Sequence, residues 1–394
     1  MTRAGVGGTR SYEFARRFVA RGHAVSMVTA AGPDQAGRRQ VDGIEVIGVR
    51  AGYSDYVRGT ALAYPRRALE FSRFAAAATA TVLREPRPDV VYATSPPLTM
   101  AFPAIAASFR HRAPLVFEVR DLWPEAPIQM GALTNPALVH LARLLEQLVY
   151  RRAAHVIALS PGMRDGVIAS GVPTGKVTLV PNASDLELFS PDLDGSPARE
   201  RLRLGDRFVC SYFGTMGEAN DLTQVIEAAA LLERDGQDGV TFVLHGDGKR
   251  RRALEELVRR RQVSNVVFSD PIPDKHSVAT LAAASDACMT IYKDVPVLYT
   301  CSPNKLFDTF AAGRPAIVNT PGWLQELVEG NEVGVYARPA DPADLAQKVL
   351  YLRDHPEVTE RYGKNARRLA EQEFSRDDLA ERALGVLERV AQRS

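Results

Sequence analysis

The chain has 394 residues, of which 45% are hydrophobic and 24% charged, and its formal net charge is +2. This length suits two domains, and this composition excludes a disordered polypeptide. The near balance of charge gives no reason to expect a nucleic-acid-binding protein. The three cysteines, Cys210, Cys288 and Cys301, lack metal-ligand spacing and fit a reducing compartment.

The longest stretch without a charged residue, residues 90–109, is long enough to span a bilayer. Pro96, Pro97 and Pro103 argue against one continuous helix, so we expect a buried strand, a loop and a buried helix there. Arginines interrupt every apolar run near the N-terminus, where no secretory signal is visible. We therefore expect a cytoplasmic protein.

Short Val- and Ile-rich runs alternate with amphipathic helical segments along the chain. A glycine-rich loop at residues 5–8 leads directly into the first such helix. Continuous apolar runs between helices are typical of parallel strands that are covered on both faces. In the first part of the chain the predicted strands are residues 24–30, 44–49, 89–94, 114–119, 155–160 and 177–183.

The alternation pauses in a stretch rich in Asp, Ser, Pro and Gly and then restarts. The later predicted strands are residues 208–214, 240–248, 266–270, 286–292, 314–320 and 333–337. This pattern predicts an α/β protein with two Rossmann-like domains, residues 1–188 and 189–374. Residues 375–394 are predicted to form a final helix that crosses back to the first domain, because the segment carries an apolar stripe.

Several common catalytic motifs are missing from the sequence. It contains no GxSxG, HExxH, Walker A or paired CxxC motif. The loop at residues 5–8 does not have the spacing GxGxxG, and no acidic residue follows the next predicted strand at Ala30. These observations argue against a hydrolase of those classes, a metalloprotease and a nicotinamide-dependent enzyme.

A more specific signal comes from several stretches taken in order. They are GGTRSYEFARRFVARGHAVSMVT, FEVRDLWPEAP, VIALSPGMRDGVIASGVPTGKVTLVPNASDLELF, YFGTMGEANDLTQVIEAA, FVLHGDG and SPNKLFDTFAAGRPAIV. Together they resemble retaining glycosyltransferases of the glycogen-synthase-like clan, which have the GT-B fold of two Rossmann-like domains facing across a cleft. The chain is similar to the branch that builds capsule, colanic-acid and O-antigen units or decorates secondary metabolites.

The resemblance implies a nucleoside-diphosphate sugar as donor, UDP-linked and in some members N-acetylated. The acceptor it implies is a polysaccharide precursor, a lipid-linked sugar or a secondary metabolite. It implies no cofactor and no metal, and the sequence shows no DxD motif of the metal-dependent kind. No nucleic-acid partner is expected. A peripheral contact with the inner face of the membrane is consistent with such acceptors.

The stretch SPNKLFDTFAAG reads as a loop that enters a helix. Ser302 can cap this helix, while Asn304 and Lys305 present backbone N–H groups at its start. A helix N-terminus together with a lysine forms a diphosphate site. By resemblance, Lys305 assists departure of the leaving group and Asp308 binds the ribose hydroxyls. Alternatively, Lys305 and Asp308 form an i,i+3 ion pair on a surface helix.

The chain departs from the wider clan at the donor site. Where the clan has two glutamates, this sequence has Thr300 and Asp308, and where it has a basic pair after the first strand of the second domain, this sequence has Thr215 and Asn220. Neutralisation of the diphosphate charge is therefore expected to depend more on Lys305. The resemblance still places Gly214 and Thr215 against the donor. Asp247, in the turn of HGDG, is interpreted as structural.

In the first domain, the resemblance places Arg120 and Asp121 at the cleft after the predicted strand 114–119. Asp121 is expected to be catalytic, and Arg120 and Trp123 are expected to bind the acceptor. Two alternatives stay open from the residues alone: Asp121 as a helix cap and Trp123 as a core aromatic residue.

The family resemblance also assigns the opening loop. Gly7 and Gly8 would follow the first strand and lie near the donor phosphates, yet no strand precedes them. We expect that the natural chain starts upstream and supplies a central strand between the predicted strands 24–30 and 89–94, because an empty position there leaves backbone groups unpaired.

Two other functions and one further surface have alternative interpretations in the sequence. A sugar-nucleotide 2-epimerase has the same fold but needs acid–base groups in the cleft, and His245 and His276 are poor candidates. A non-catalytic partner subunit is favoured if the first strand is absent. Residues 50–74 mix Tyr, Phe and Arg, so they form either a membrane-surface contact or an ordinary helix face.

Overall fold

The computed structural model describes residues 10–32, 35–50, 64–270 and 274–393, with side chains in the helix that begins at Tyr64 described from Leu69 onward. Gly7, Gly8 and most of residues 50–74 lie outside these ranges. The described residues form two α/β units, which confirms the predicted fold class. We call them the N-terminal unit, with strands β1–β7, and the C-terminal unit, with strands β8–β13.

The strands of the N-terminal unit are β1 (Ser26–Ala31), β2 (Gly37–Val41), β3 (Ile44–Arg50), β4 (Val91–Ser95), β5 (Leu115–Val119), β6 (His155–Ala158) and β7 (Val177–Leu179). Its helices are α1 (Arg10–Ala20), α2 (Tyr64–Val82), α3 (Ala101–His111), α4 (Glu125–Gln129), α5 (Pro136–Arg152) and α6 (Pro161–Ala169). The uncharged stretch at residues 90–109 is thus strand, short 3₁₀ turn and helix, as the prolines indicated. No helix in the described ranges is long and apolar enough to cross a membrane.

These strands form two separate sheets rather than one. One sheet has the order β1-β3-β2, with β2 antiparallel, and the other is the parallel sheet β4-β5-β6-β7. The edge strands β1 and β4 are mostly half-buried, whereas every residue of β5 is buried. Among the described strands, none pairs with the outer edge of β1 or of β4. The additional strand expected between them therefore stays a prediction.

The strands of the C-terminal unit are β8 (Phe208–Phe213), β9 (Val240–His245), β10 (Val266–Ser269), β11 (Ala287–Thr290), β12 (Ala316–Val318) and β13 (Gly334–Tyr336). Its helices are α7 (Ser196–Leu202), α8 (Leu222–Arg234), α9 (Arg251–Arg261), α10 (Lys275–Ala284), α11 (Asn304–Ala311), α12 (Trp323–Gly330), α13 (Pro342–Asp354) and α14 (Pro356–Glu373). All six strands are parallel in the order β10-β9-β8-β11-β12-β13. In such sheets ligands bind at the carboxyl ends of the strands, and β8 lies at the centre.

The last helix, α15 (Arg376–Gln392), packs against α1 of the N-terminal unit. The Ser375 hydroxyl caps it by accepting a hydrogen bond from the Asp378 N–H. Arg21 pairs with Glu381 at 2.7 Å across the contact between the helices. The chain's end thus returns to its beginning, and one apolar core that runs from Phe14 through Phe307 to Leu384 joins the two units.

Candidate active site

Lys305 lies at the second residue of α11, and its side chain points toward the carboxyl end of β8. Its Nζ donates a hydrogen bond to the Tyr212 hydroxyl at 2.8 Å and lies 4.0 Å from the centre of that ring. The Tyr212 hydroxyl in turn donates to the Thr215 carbonyl oxygen. Burial lowers the pKa of Lys305 to about 7, because a charged ammonium loses hydration there. The site therefore favours an anion that would restore the charge.

The loop after β8 lies backbone to backbone against the loop after β9. Gly214 N–H donates to the His245 carbonyl oxygen at 3.0 Å, and Met216 N–H donates to that of Asp247 at 2.9 Å. A Cβ atom on Gly246 would lie 1.9 Å from the Gly214 carbonyl oxygen. Only glycine allows this close approach. The packing of the two loops holds the exposed Gly214 next to the Lys305 side chain.

Asp247, the acidic residue of the HGDG turn, stabilises the turn itself. The Asp247 carboxylate accepts a hydrogen bond from the Gly248 N–H at 2.7 Å. This bond supports the structural interpretation of Asp247.

Asp121 follows β5 and faces the C-terminal unit. Burial raises the pKa of Asp121 to about 6, against the opposing charge of Arg120. Burial also raises the pKa values of Tyr292 and Cys301, and the charge of Asp121 adds to both increases. The charges of Asp121 and Lys305, the two predicted catalytic groups, thus both act on the thiol of Cys301.

Trp123 and Arg120 lie on the other side of Asp121. Trp123 is half-buried, packs against the apolar core of the N-terminal unit and contacts Phe71 edge-on with ring centres 6.3 Å apart. These contacts are those of a core aromatic residue. Arg120 has a buried Nε with no hydrogen-bond partner among the described residues. The acceptor-binding role assigned to both residues stays a prediction.

The prediction that Ser302 caps α11 is wrong. The cap residue is Pro303, which provides no side-chain hydrogen bond. The Ser302 hydroxyl instead accepts from the Asn182 N–H at 3.1 Å, and the Ser302 carbonyl oxygen accepts from Asn182 Nδ2 at 2.5 Å. Ser302 therefore connects the two units, while the half-buried Asn304 forms the first turn of α11.

Two further hydrogen bonds hold the same segment, residues 296–303, which we call the cleft loop. The Val297 N–H donates to Gln129 Oε1 at 2.9 Å. The Ser160 hydroxyl, which also caps α6, donates to the Thr300 carbonyl oxygen at 2.5 Å. Side chains of the N-terminal unit thus fix the loop that leads to Lys305.

A buried ion pair in the N-terminal unit supports the residues that hold the cleft loop. Arg10 Nε donates to Glu118 Oε1 at 2.9 Å, and both side chains are at most 3% exposed. Glu118 also accepts from Tyr92 at 2.6 Å and from Thr94 at 2.9 Å. Although burial opposes it, the charges of Arg10 and Arg120 hold the pKa of Glu118 below its ordinary value.

The same ion pair reaches the residues next to the cleft loop. Arg10 Nη1 donates to the Pro181 carbonyl oxygen at 2.6 Å, and Arg10 Nη2 donates to that of Val180 at 2.9 Å. Arg10 therefore fixes the backbone just before Asn182, whose side chain and N–H hold Ser302.

Asp308 is not part of an exposed pair with Lys305. Its carboxylate accepts from the Ser184 hydroxyl at 2.8 Å and lies near the charges of Arg376 and Lys275. Burial raises the pKa of Asp308. Within the described ranges no ion pair joins it to Lys305, which rules out the surface-pair alternative, and ribose binding by Asp308 stays a prediction.

Comparison with known proteins agrees with the fold of two α/β units. Residues 6–183 match the model of a "glycosyl transferase 4-like domain", and residues 207–355 match that of "glycosyl transferases group 1". Alpha-D-kanosaminyltransferase from Streptomyces kanamyceticus is 24% identical over 253 residues, which is 64% of this chain. The match spans 64% of the length of that relative.

Two solved structures share the fold over nearly their whole length. Sucrose-phosphate synthase from Thermosynechococcus elongatus aligns with a TM-score of 0.80 and 20% identity, covering 98% of this chain and 94% of that one. HepE of Anabaena, in complex with UDP-glucose, aligns with a TM-score of 0.74 and 20% identity, covering 97% and 96%. The two domain matches span most of the sequence, and with the paired α/β units they show that the chain belongs to the GT-B glycosyltransferases.

Proposed function

We propose that the protein is a retaining glycosyltransferase that takes its sugar from a UDP-sugar. The observation that carries the proposal is the position of Lys305, which is half-buried at the start of α11 beside Gly214 and hydrogen-bonded to Tyr212. The charges of Lys305 and Asp121 both act on the neighbouring Cys301. A lysine with a lowered pKa at a helix N-terminus is suited to a diphosphate, which would return the proton to the amine. The neighbour HepE was solved with UDP-glucose, which supports the choice of donor.

In the proposed reaction the bond between the anomeric carbon and the diphosphate oxygen breaks, and the acceptor oxygen forms the new bond on the same face. The acceptor's proton passes to the leaving diphosphate. Lys305 and the N-terminus of α11 stabilise the charge that develops on this diphosphate. Asp121, whose pKa is raised to about 6, hydrogen-bonds a hydroxyl of the sugar.

We further propose that the donor is a UDP-hexose or UDP-N-acetylhexosamine and that the acceptor is a lipid-linked sugar, a polysaccharide precursor or a small metabolite. The epimerase alternative is not favoured, because His245 is buried against Ser269 and His276 is exposed on α10.

A direct test measures UDP binding by calorimetry and donor hydrolysis with a panel of nucleotide sugars. We expect UDP to bind and Lys305→Ala to weaken binding by about 1–3 kcal/mol, the range for a charge-assisted contact. Lys364→Ala is the matched control, since Lys364 is an exposed residue of α14 paired with Glu360.

The stereochemical part has its own readout. Proton NMR of the first product formed should show the anomeric configuration of the donor. An inverted product would contradict retention, an epimerised sugar nucleotide would favour the alternative, and unchanged UDP affinity in Lys305→Ala would place the diphosphate site elsewhere.

A further inference from the structure

Exposed large apolar side chains are concentrated on one unit of the molecule. Nine such side chains occur among the described residues, and eight of them belong to the N-terminal unit. Six of the eight lie on two helices: Phe102 and Phe109 on α3, and Leu138, Leu141, Leu144 and Leu148 on α5. We call these six residues the apolar face. Monomeric soluble proteins rarely expose such side chains in groups.

The apolar face follows the geometry of its helices. The four leucines of α5 recur every three or four residues and so share one side of the helix, where they are 43–59% exposed. Of the residues of α5 only Val149 and Tyr150, near its end, are buried. The phenylalanines of α3 are seven residues apart, which again places them on one side, and Phe109 is 79% exposed. The two helices pack against each other.

Unpaired positive charge accompanies these side chains. Arg110 and Arg112 lie at the end of α3, and Arg151 and Arg152 at the end of α5, all four exposed. None of the four forms an ion pair with a residue that the structure describes. α3 has no acidic residue, and the single acid of α5 is Glu146, whose pKa burial raises to about 7. The surface is therefore both apolar and cationic.

From these observations we infer that α3 and α5 dock the protein on a bilayer of anionic lipids. Leucine and phenylalanine side chains would enter the headgroup region while arginines pair with lipid phosphates, the pattern of an interfacial helix. A second copy of the chain fits less well. Because a two-fold interface sets the same patch against itself, the arginines of one copy would face those of the other.

The inferred contact goes beyond the proposed function and lies on the unit that supplies Asp121. α5 begins seven residues after Gln129, which binds the cleft loop, and Trp123 packs against α2, which contacts α3. A membrane held by the apolar face would thus lie on the acceptor side of the enzyme. The surface differs from residues 50–74, for which the sequence left a membrane-surface contact and an ordinary helix face as alternatives.

The experiment is co-sedimentation of the full chain with vesicles of phosphatidylglycerol and phosphatidylcholine, compared with vesicles of phosphatidylcholine alone. We expect binding to the anionic vesicles and at least tenfold weaker binding to the neutral ones. Leu141→Glu/Leu148→Glu should abolish it. Tyr351→Glu is the control, because Tyr351 is an exposed large apolar side chain that lies on the C-terminal unit.

A second pair of variants tests the charge. Arg151→Glu/Arg152→Glu should weaken binding to the anionic vesicles by about tenfold or more. Arg259→Glu/Arg260→Glu makes the same charge change on α9, at two exposed arginines of the C-terminal unit, and should leave binding near that of the wild type. UDP binding by each variant reports whether it is folded, independently of any lipid.

Two results would overturn the inference. One is vesicle binding that survives Leu141→Glu/Leu148→Glu, or that both charge-reversal variants lose equally. The other is failure to bind anionic vesicles together with self-association in analytical ultracentrifugation that the leucine variant abolishes, which would assign the apolar face to a second copy.

Discussion

Replacement of Lys305 by methionine should make the free protein more stable while weakening its hold on the donor. The pKa of Lys305 falls from 10.5 to about 7 in the fold, which corresponds to about 5 kcal/mol against the charged form. Methionine keeps most of the apolar stem and brings no charge. The Tyr212 hydroxyl keeps its hydrogen bond to the Thr215 carbonyl oxygen. We therefore expect the free energy of unfolding of Lys305→Met to be about 2–4 kcal/mol higher than that of the wild type near pH 7.

The extra stability of Lys305→Met should decrease as the pH rises. Between pH 7 and 10.5 the unfolded chain keeps the Lys305 proton while the folded protein has lost it, so the wild type becomes more stable as the pH rises. The advantage of Lys305→Met should then shrink from about pH 7 upward and stay constant below it. The affinity for UDP-glucose should depend on pH in the wild type only. It should fall above about pH 7, where Lys305 loses its proton, whereas the affinity of the variant should not change with pH.

The assay is urea unfolding of both proteins at about pH 6, 7.5 and 9, with UDP-glucose calorimetry at the same values. Lys364→Met serves as control, since its ammonium is exposed and should change stability little. A variant that is less stable than the wild type, or a difference that does not vary with pH, would refute the reasoning that burial alone lowers the pKa of Lys305.

Three other outcomes are expected. Arg10→Met should cost about 3–5 kcal/mol in urea unfolding by leaving Glu118 buried without its partner, and a double variant that also carries Glu118→Met should recover part of the loss. Asn182→Ala should raise KM for the donor more than it lowers kcat and cost about 1–3 kcal/mol of stability, because it frees the cleft loop; an unchanged KM would contradict that role. Gly246→Ala should weaken UDP binding at least tenfold, since its Cβ would meet a carbonyl oxygen at 1.9 Å, whereas Gly330→Ala, with open space around it, should bind normally.

The fold was largely predictable because its strands are short apolar runs between helices. β8, with the sequence FVCSYF, is almost wholly buried, as a central parallel strand requires. β2 was not predicted, since GRRQV is an exposed edge strand in which two arginines hide the alternation. Its pairing with β3 comes from the tight turn at Asp42 and Gly43, where both residues have positive φ.

The candidate site was predictable where one short segment sets the geometry. The helix entry at SPNK placed Lys305 correctly at the start of α11, but the partner of Ser302 could not be read from nearby residues, because Asn182 is 120 positions away. The same holds for Glu118, whose partner Arg10 is 108 positions away. A charged residue inside the apolar run LVFEV was the one signal that a buried partner was needed.

The hydrogen bonds on the cleft loop have a consequence for how its sequence can change. At Val297, Thr300 and Ser302 the N-terminal unit binds main-chain atoms, an N–H in the first case and carbonyl oxygens in the other two. Side chains at Val297 and Thr300 can vary while these main-chain contacts persist, whereas a change at Ser302 would lose the bond that its hydroxyl accepts from the Asn182 N–H. Insertion or deletion of one residue between Val297 and Ser302 would shift every later atom out of reach of its partner. The spacing of the loop, more than its composition, therefore sets how the two units meet next to Lys305.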